Sequence, residues 1–98
     1  MRLNDKVAIV TGAGSGIGRA TSALFTREGA LLMLNDIDER SLDKVAAQIA
    51  KDKSRMVMGD IAREETVRRL AEETISTFGR IDVLVNNAGI HFSRMLPR

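Results

Sequence analysis

Thr11-Gly12-Ala13-Gly14-Ser15-Gly16-Ile17-Gly18 follows the apolar run Val7-Ala8-Ile9-Val10 and precedes Arg19-Ala20-Thr21-Ser22-Ala23-Leu24-Phe25. The first flank is uncharged and β-prone, and the second can form a helix. Glycines at every second position let the backbone turn sharply and approach a ligand without a Cβ in the way. The following helix would aim its free N–H groups and the positive end of its dipole at that ligand. A phosphate-bearing molecule is the natural occupant. The alternative is a flexible strand-to-helix joint with no ligand, and the strand–loop–helix context argues against it.

The spacing is T-G-x-x-x-G-x-G. The commoner G-x-G-x-x-G is absent: counted from Gly12 its third glycine falls on Ile17, and counted from Gly14 on Arg19. No Gly-Lys pair completes a phosphate loop of the G-x-x-x-x-G-K-[ST] kind. The extra residue implies a wider turn before the helix.

Ninety-eight residues predict one domain, 1–98, with a loose tail over 91–98. The apolar share of 44% suits a globular chain. Fifteen Lys and Arg against thirteen Asp and Glu are mixed along the sequence, so no basic block points to nucleic acid. There is no cysteine for a disulfide or thiol chemistry. No apolar run approaches the roughly 18 residues of a membrane span. Met1–Lys6 has no signal-peptide character, and a cytoplasmic location is the default expectation.

Strand-like and helix-like segments alternate. Strands are predicted at Val7–Val10, Ala30–Asn35, Arg55–Met58 and Ile81–Val85. A first helix is predicted over Gly16–Glu28 with Gly29 as its stop. A second runs from Asp38 or Glu39 to Lys51, with Leu42, Val45, Ala46, Ile49 and Ala50 in one stripe. The third begins near Ala62, with Val67, Leu70, Ala71, Thr74, Ile75 and Phe78 on its apolar face and Gly79 as its cap. Met33, Met56 and Met58 read as core filler, and Glu64/Arg68 and Glu65/Arg69 as solvated helix pairs. The order β-α-β-α-β-α-β predicts a doubly wound α/β parallel sheet of four strands, order 3-2-1-4, with three helices.

In that arrangement the polar clusters converge on the carboxyl ends of the strands: Thr11–Gly18, Asp36, Asp60 and Asn86–Gly89. Asp36 can accept hydrogen bonds from both hydroxyls of an adenosine ribose, and its charge repels a 2′-phosphate. Ser15 and Ile37 stand where a basic residue could neutralise that phosphate, which favours NAD over NADP. Asp36 or Asp38 could instead cap the second helix. Asp60 could accept from an adenine amino group while Ile61 packs on the base, or could cap the third helix. Asn86-Asn87-Ala88-Gly89 could tie strand ends together and face a ligand, or form an ordinary turn. Arg19 reads as solvated. His91, the only histidine, lacks a partner at ligand spacing.

Together these residues resemble the short-chain dehydrogenase/reductase family. The similar stretches are Leu3–Gly12 leading into the loop, Asp36, Asp60-Ile61, and Phe78–Gly89, spanning about residues 3 to 90. The resemblance implies a Rossmann-like fold and a nicotinamide-dependent oxidoreductase that binds NAD. It implies that Gly12, Gly16, Ile17 and Gly18, in the loop that also holds Ser15, wrap the pyrophosphate. Asp36 would read the ribose, Asp60 and Ile61 the adenine, and Asn86, Asn87, Ala88 and Gly89 the adenosine side. The family's catalytic Ser and Tyr-x-x-x-Lys follow the N-N-A-G run, whereas this sequence ends at Arg98 and contains no tyrosine. The chain is therefore similar to the amino-terminal half of such an enzyme, with no catalytic residue assignable. A homo-oligomeric parent is implied, and the strand-four edge is expected to self-associate. A non-catalytic nucleotide-binding module or truncated gene product shares every motif. A methyl transferase would carry an acid just before the loop, where Val10-Thr11 stands.

Overall fold

The computed structural model describes residues 2–87. Its elements are β1 (Val7–Thr11), α1 (Gly16–Arg27), β2 (Leu31–Asp36), α2 (Glu39–Ala46), β3 (Ser54–Met58), α3 (Glu64–Phe78) and β4 (Val83–Asn86), with a 3-10 turn at Lys51–Lys53. The strands form one parallel sheet in the order β3-β2-β1-β4. The expected fold class and strand order are both present. Residues 91–98, Ala88 and Gly89 lie outside the described residues.

The two faces of the sheet are covered by different helices, which explains the unbroken apolar runs of the inner strands. Ala8, Val10, Leu32 and Leu34 pack with Leu42, Val45 and Ile49 of the α2 region and with Phe25 of α1. Ile9 and Met33 point the other way, joining Val57 with Leu70 and Phe78 of α3. Alternation along each strand thus feeds two cores. Leu32, Met33 and Leu34 are completely enclosed. Burying each such side chain contributes about 1.5–3 kcal/mol, so these three residues anchor β2 as an inner strand.

Several local expectations are corrected. Helix α2 ends at Ala46, not Lys51. Beyond it Gln48 and Ile49 donate to carbonyls three residues back, Val45 and Ala46, so the chain tightens out of the α-helix. Ile49 keeps its buried place, while Ala50 turns to solvent. On α3 the buried residues are Thr66, Leu70 and Thr74, and Val67 and Ile75 are about half exposed. Met33 is core, but Met56 and Met58 are 45% and 46% exposed because β3 is a sheet edge. Glu64 pairs with Arg68 at 3.6 Å, whereas Arg69 donates to the Met58 carbonyl.

Register is pinned at the amino ends of the strands by Asp82. Its backbone N–H donates to the Val7 carbonyl at 2.8 Å, and its carboxylate accepts the Val7 N–H at 2.8 Å. Arg80 donates to the same carboxylate through Nε and Nη2, at 3.1 and 2.7 Å. The Arg80 hydrogen bond, and then the Val7 N–H, hold the Asp82 carboxyl below its ordinary value. A depressed folded value means stability present above the unfolded carboxylate pKa of about 3.9 and lost as pH falls through the folded one. Asp82→Asn should therefore lower the thermal midpoint at pH 7, and the gap to the parent should close in strong acid. Calorimetric scans across that range check this, and a gap independent of pH contradicts it.

Candidate functional site

Strand register decides which side chains meet. Thr11 lies opposite Asn86, and Asp36 opposite Met58. The loop after β1, the end of β2, the turn after β3 and the end of β4 therefore share one edge of the sheet. Here the order passes from β1 outward to β2 on one side and to β4 on the other, which is where doubly wound sheets hold ligands.

The glycines of the loop have separate reasons. Gly12 adopts a left-handed φ of 62°, a conformation costly for a side chain. Any Cβ on Gly18 would collide with the Gly12 carbonyl oxygen and stand 2.8 Å from the Gly12 carbonyl carbon. Gly14 is hemmed in by Ser41 and Asp36. A Cβ on Gly16 would meet nothing within 4 Å, so no packing among the described residues requires glycine there. Gly16 opens α1, whose first-turn N–H groups have no intrahelical acceptor.

Ser15 is the N-cap of α1. Its hydroxyl oxygen accepts the Gly18 N–H at 3.1 Å, and its hydroxyl donates to the Gly12 carbonyl at 2.7 Å. Ala13 donates to the Asn35 carbonyl at 2.8 Å, which moors the loop to β2. Ile17 projects into solvent at the rim, as does Ile37 beside Asp36.

Asp36 does not cap α2; Asp38 does, accepting from Arg40 and Ser41. The Ser41 backbone N–H and then its hydroxyl hold the Asp38 carboxyl below its usual value. The Asp36 carboxylate instead bridges two backbone donors. Its Oδ2 accepts the Gly14 N–H at 2.8 Å and its Oδ1 the Asp38 N–H at 2.9 Å. An ionised carboxylate has about four lone-pair sites, so two remain for a ligand.

Asp60 accepts the Ala62 N–H at 2.9 Å, turning the chain toward α3. It is not the α3 cap, since Arg63 occupies that position without a side-chain cap bond. Ile61 packs against the core beneath α3 and borders an apolar groove of about 390 Å³ between α3 and β4. Thr11 and Asn86 stand among that groove's lining residues, and the Thr11 hydroxyl lies 2.9 Å from Asn86 Oδ1. The Asn87 side-chain nitrogen is buried without a partner among the described residues. Ala88 and Gly89, expected at this site, fall outside the described residues.

Two contributors were not read from the sequence. Buried Asn35 donates through Nδ2 to the Val57 and Gly59 carbonyls, at 2.9 and 3.1 Å, lashing β2 to β3 beside the site. An amide at the end of an otherwise apolar run was the available signal. Gly59 donates to the Asp36 carbonyl and has no room for a Cβ against Thr66.

Comparison with known proteins places this geometry. A family profile described as short chain dehydrogenase matches residues 6–97. The chain is 42% identical over 91 residues to meso-2,3-butanediol dehydrogenase of Serratia marcescens, covering 93% of this chain and 36% of that protein. It is 40% identical over 100 residues to a 3-oxoacyl-[acyl-carrier-protein] reductase of Thermotoga maritima, covering all of this chain and 41% of that one. Glucose dehydrogenase of Caenorhabditis elegans in its apo form superposes with a TM-score of 0.83 at 35% identity, over 89% of this chain and 39% of that chain. A 3-ketoacyl-(acyl-carrier-protein) reductase of Brucella melitensis complexed with NADH gives 0.79 at 36% identity, over 84% and 34%. The chain thus spans only 36–41% of the length of these curated relatives.

The loop glycines separate packing from ligand access. Gly18→Ala should destabilise the chain by about 1–3 kcal/mol or more, the scale of overpacking against backbone. Gly16→Ala should leave the denaturation midpoint unchanged or slightly raised. Urea titrations of both variants check the contrast, and equal losses would contradict the loop geometry.

Proposed function

The chain belongs to the short-chain dehydrogenase family, and from that premise we propose that it is the NAD-binding half-domain of an oxidoreductase. The parent moves hydride between NAD and an alcohol or carbonyl carbon. The observation that carries the cofactor reading is the Asp36 carboxylate, held against the glycine loop with acceptor capacity left over.

The residues present suit a dinucleotide. Gly16 leaves space where a Cβ would stand, and the first-turn N–H groups of α1 can donate to a pyrophosphate. Gly12, Ser15, Ile17 and Gly18 shape that cradle. Asp36 accepts from the ribose hydroxyls, Asp60 and Ile61 border the adenine, and Asn86 to Gly89 close the adenosine side. Bound NAD would supply the hydride chemistry. A 2′-phosphate would bring a second negative charge beside Asp36, a repulsion of about 1 kcal/mol in water and about 4 near a protein surface at 4 Å. Ser15 and exposed Ile37 offer no cation to relieve it.

Hydride leaves a carbinol carbon as a proton leaves its oxygen, so turnover needs a proton carrier. No tyrosine occurs in these 98 residues, so we assign the chain cofactor binding and no catalytic residue. A second reading, a non-catalytic nucleotide-binding module, shares the same cofactor-facing residues. A Ser and Tyr-x-x-x-Lys encoded downstream would decide for the enzyme. In either reading the setting is cytoplasmic, and the β4 edge, where Leu84 is 63% exposed, is the surface for further chain or a second copy.

Removing charged hydrogen bonds worth about 1.5–3 kcal/mol costs roughly tenfold to a hundredfold in affinity. Asp36→Ala should weaken NAD by that factor and leave NADP unchanged or improved, read by calorimetric titration of the full chain. If the parent chain binds NADP as tightly as NAD, the ribose assignment fails.

A further inference from the structure

We propose that Gly14 is a positioning residue for the Asp36 carboxylate and thereby helps to set the choice between NAD and NADP. The inference rests on the reading of Asp36 as the ribose acceptor.

Gly14 is not a glycine for the sake of its backbone angles. It is absent from the positive-φ positions of the described residues, which include Gly12, Gly29, Gly59 and Gly79. Space is what it provides. A Cβ at position 14 would stand 2.5 Å from the Ser41 Cβ, 3.2 Å from the Ser41 carbonyl carbon and 3.0 Å from Asp36 Oδ2. None of these is the free end of a long side chain.

Neither neighbour can retreat alone. Ser41 lies in the first turn of α2, where its N–H and hydroxyl are both held by Asp38, at 3.3 and 3.1 Å. The Asp38 N–H in turn holds Asp36 Oδ1. The Gly14 N–H holds the other carboxylate oxygen from the opposite side. The loop, the carboxylate and the α2 cap are therefore linked by one continuous chain of hydrogen bonds, and Ser41 at its far end lies against Gly14. A side chain at 14 must push either the carboxylate or the whole cap outward.

A carboxylate clasped from both sides is pre-oriented for a diol, so little ordering remains to be done on binding. It also cannot swing aside to admit a 2′-phosphate. Discrimination then comes from the rigidity of the charge as well as from its sign.

The test is titration of the full chain and its variants with NAD and with NADP, with circular dichroism confirming the fold. Gly14→Ala should weaken NAD by about tenfold and NADP far less, so the preference narrows. Ser41→Gly alone, which keeps the backbone N–H bond to Asp38, should weaken NAD less than Gly14→Ala does. The double variant Gly14→Ala/Ser41→Gly should recover most of the NAD affinity, a rescue that general destabilisation does not give. Should Gly14→Ala fail to fold, Ser41→Val crowds the same gap from the α2 side and should narrow the preference likewise. An unchanged preference in Gly14→Ala, beside a preference lost in Asp36→Ala, overturns the positioning role alone. An unchanged preference in Asp36→Ala overturns the ribose reading and this proposal with it.

Discussion

The Gly12 carbonyl and the Gly18 α-carbon approach so closely that no side chain fits between them. The site depends on this contact. It sets the width of the turn, and the turn sets where α1 begins. From there Ser15 caps α1 and Ala13 moors the loop to β2. The parallel register then brings Asp36 and Asn86 to the same edge. Were the loop to open, the first turn of α1 would no longer point across the strand ends.

The site is assembled from backbone and short polar side chains. Asp36, Asp38 and Asp60 each accept a backbone N–H within two residues, at 2.9 to 3.0 Å, and such local bonds fix a carboxylate without long side-chain reach. Thr11 and Asn35 act at the next level, adding side-chain bonds between strand ends that the ladder also pairs. At the opposite edge of the sheet, Asp82 and Arg80 hold β4 on β1. The sheet is therefore tied at both ends, with its two apolar cores between. On the β4 side its apolar surface stays open, with Leu84 exposed and a groove bordering Ile81. The curated relatives are more than twice as long as this chain.

Fold class and strand order were legible because strand–loop–helix punctuation is local: a strand-like segment gives way to a helix-like one three times, and Gly29 and Gly79 mark two of the helix ends. The end of α2 was not, because the stripe continues through Ile49 after the hydrogen bonding has changed to a tighter turn. Periodicity reports which residues are buried and is silent on which carbonyl an N–H chooses. Met56 and Met58 misled for a related reason, since composition does not reveal that β3 is an edge. Within the site, Asp36 was legible by its place at a strand end. Its clasp by Gly14 was not, because that contact joins residues 22 apart through a backbone donor. Asn35 looked like the end of an apolar run and is a buried fastening.

In the proposed NAD site the four strand ends act as a single surface for an adenine dinucleotide. Backbone amide spectra of isotopically labelled full chain, recorded as NAD is added, test it most directly. Shifts are expected at Gly12 to Gly18, Asp36 to Asp38, Asp60 to Ala62 and Asn86, with the amides of Asp82 and the amino ends of the strands unmoved. Saturable shifts confined to the α3–β4 groove, or none with NAD in large excess, would contradict it.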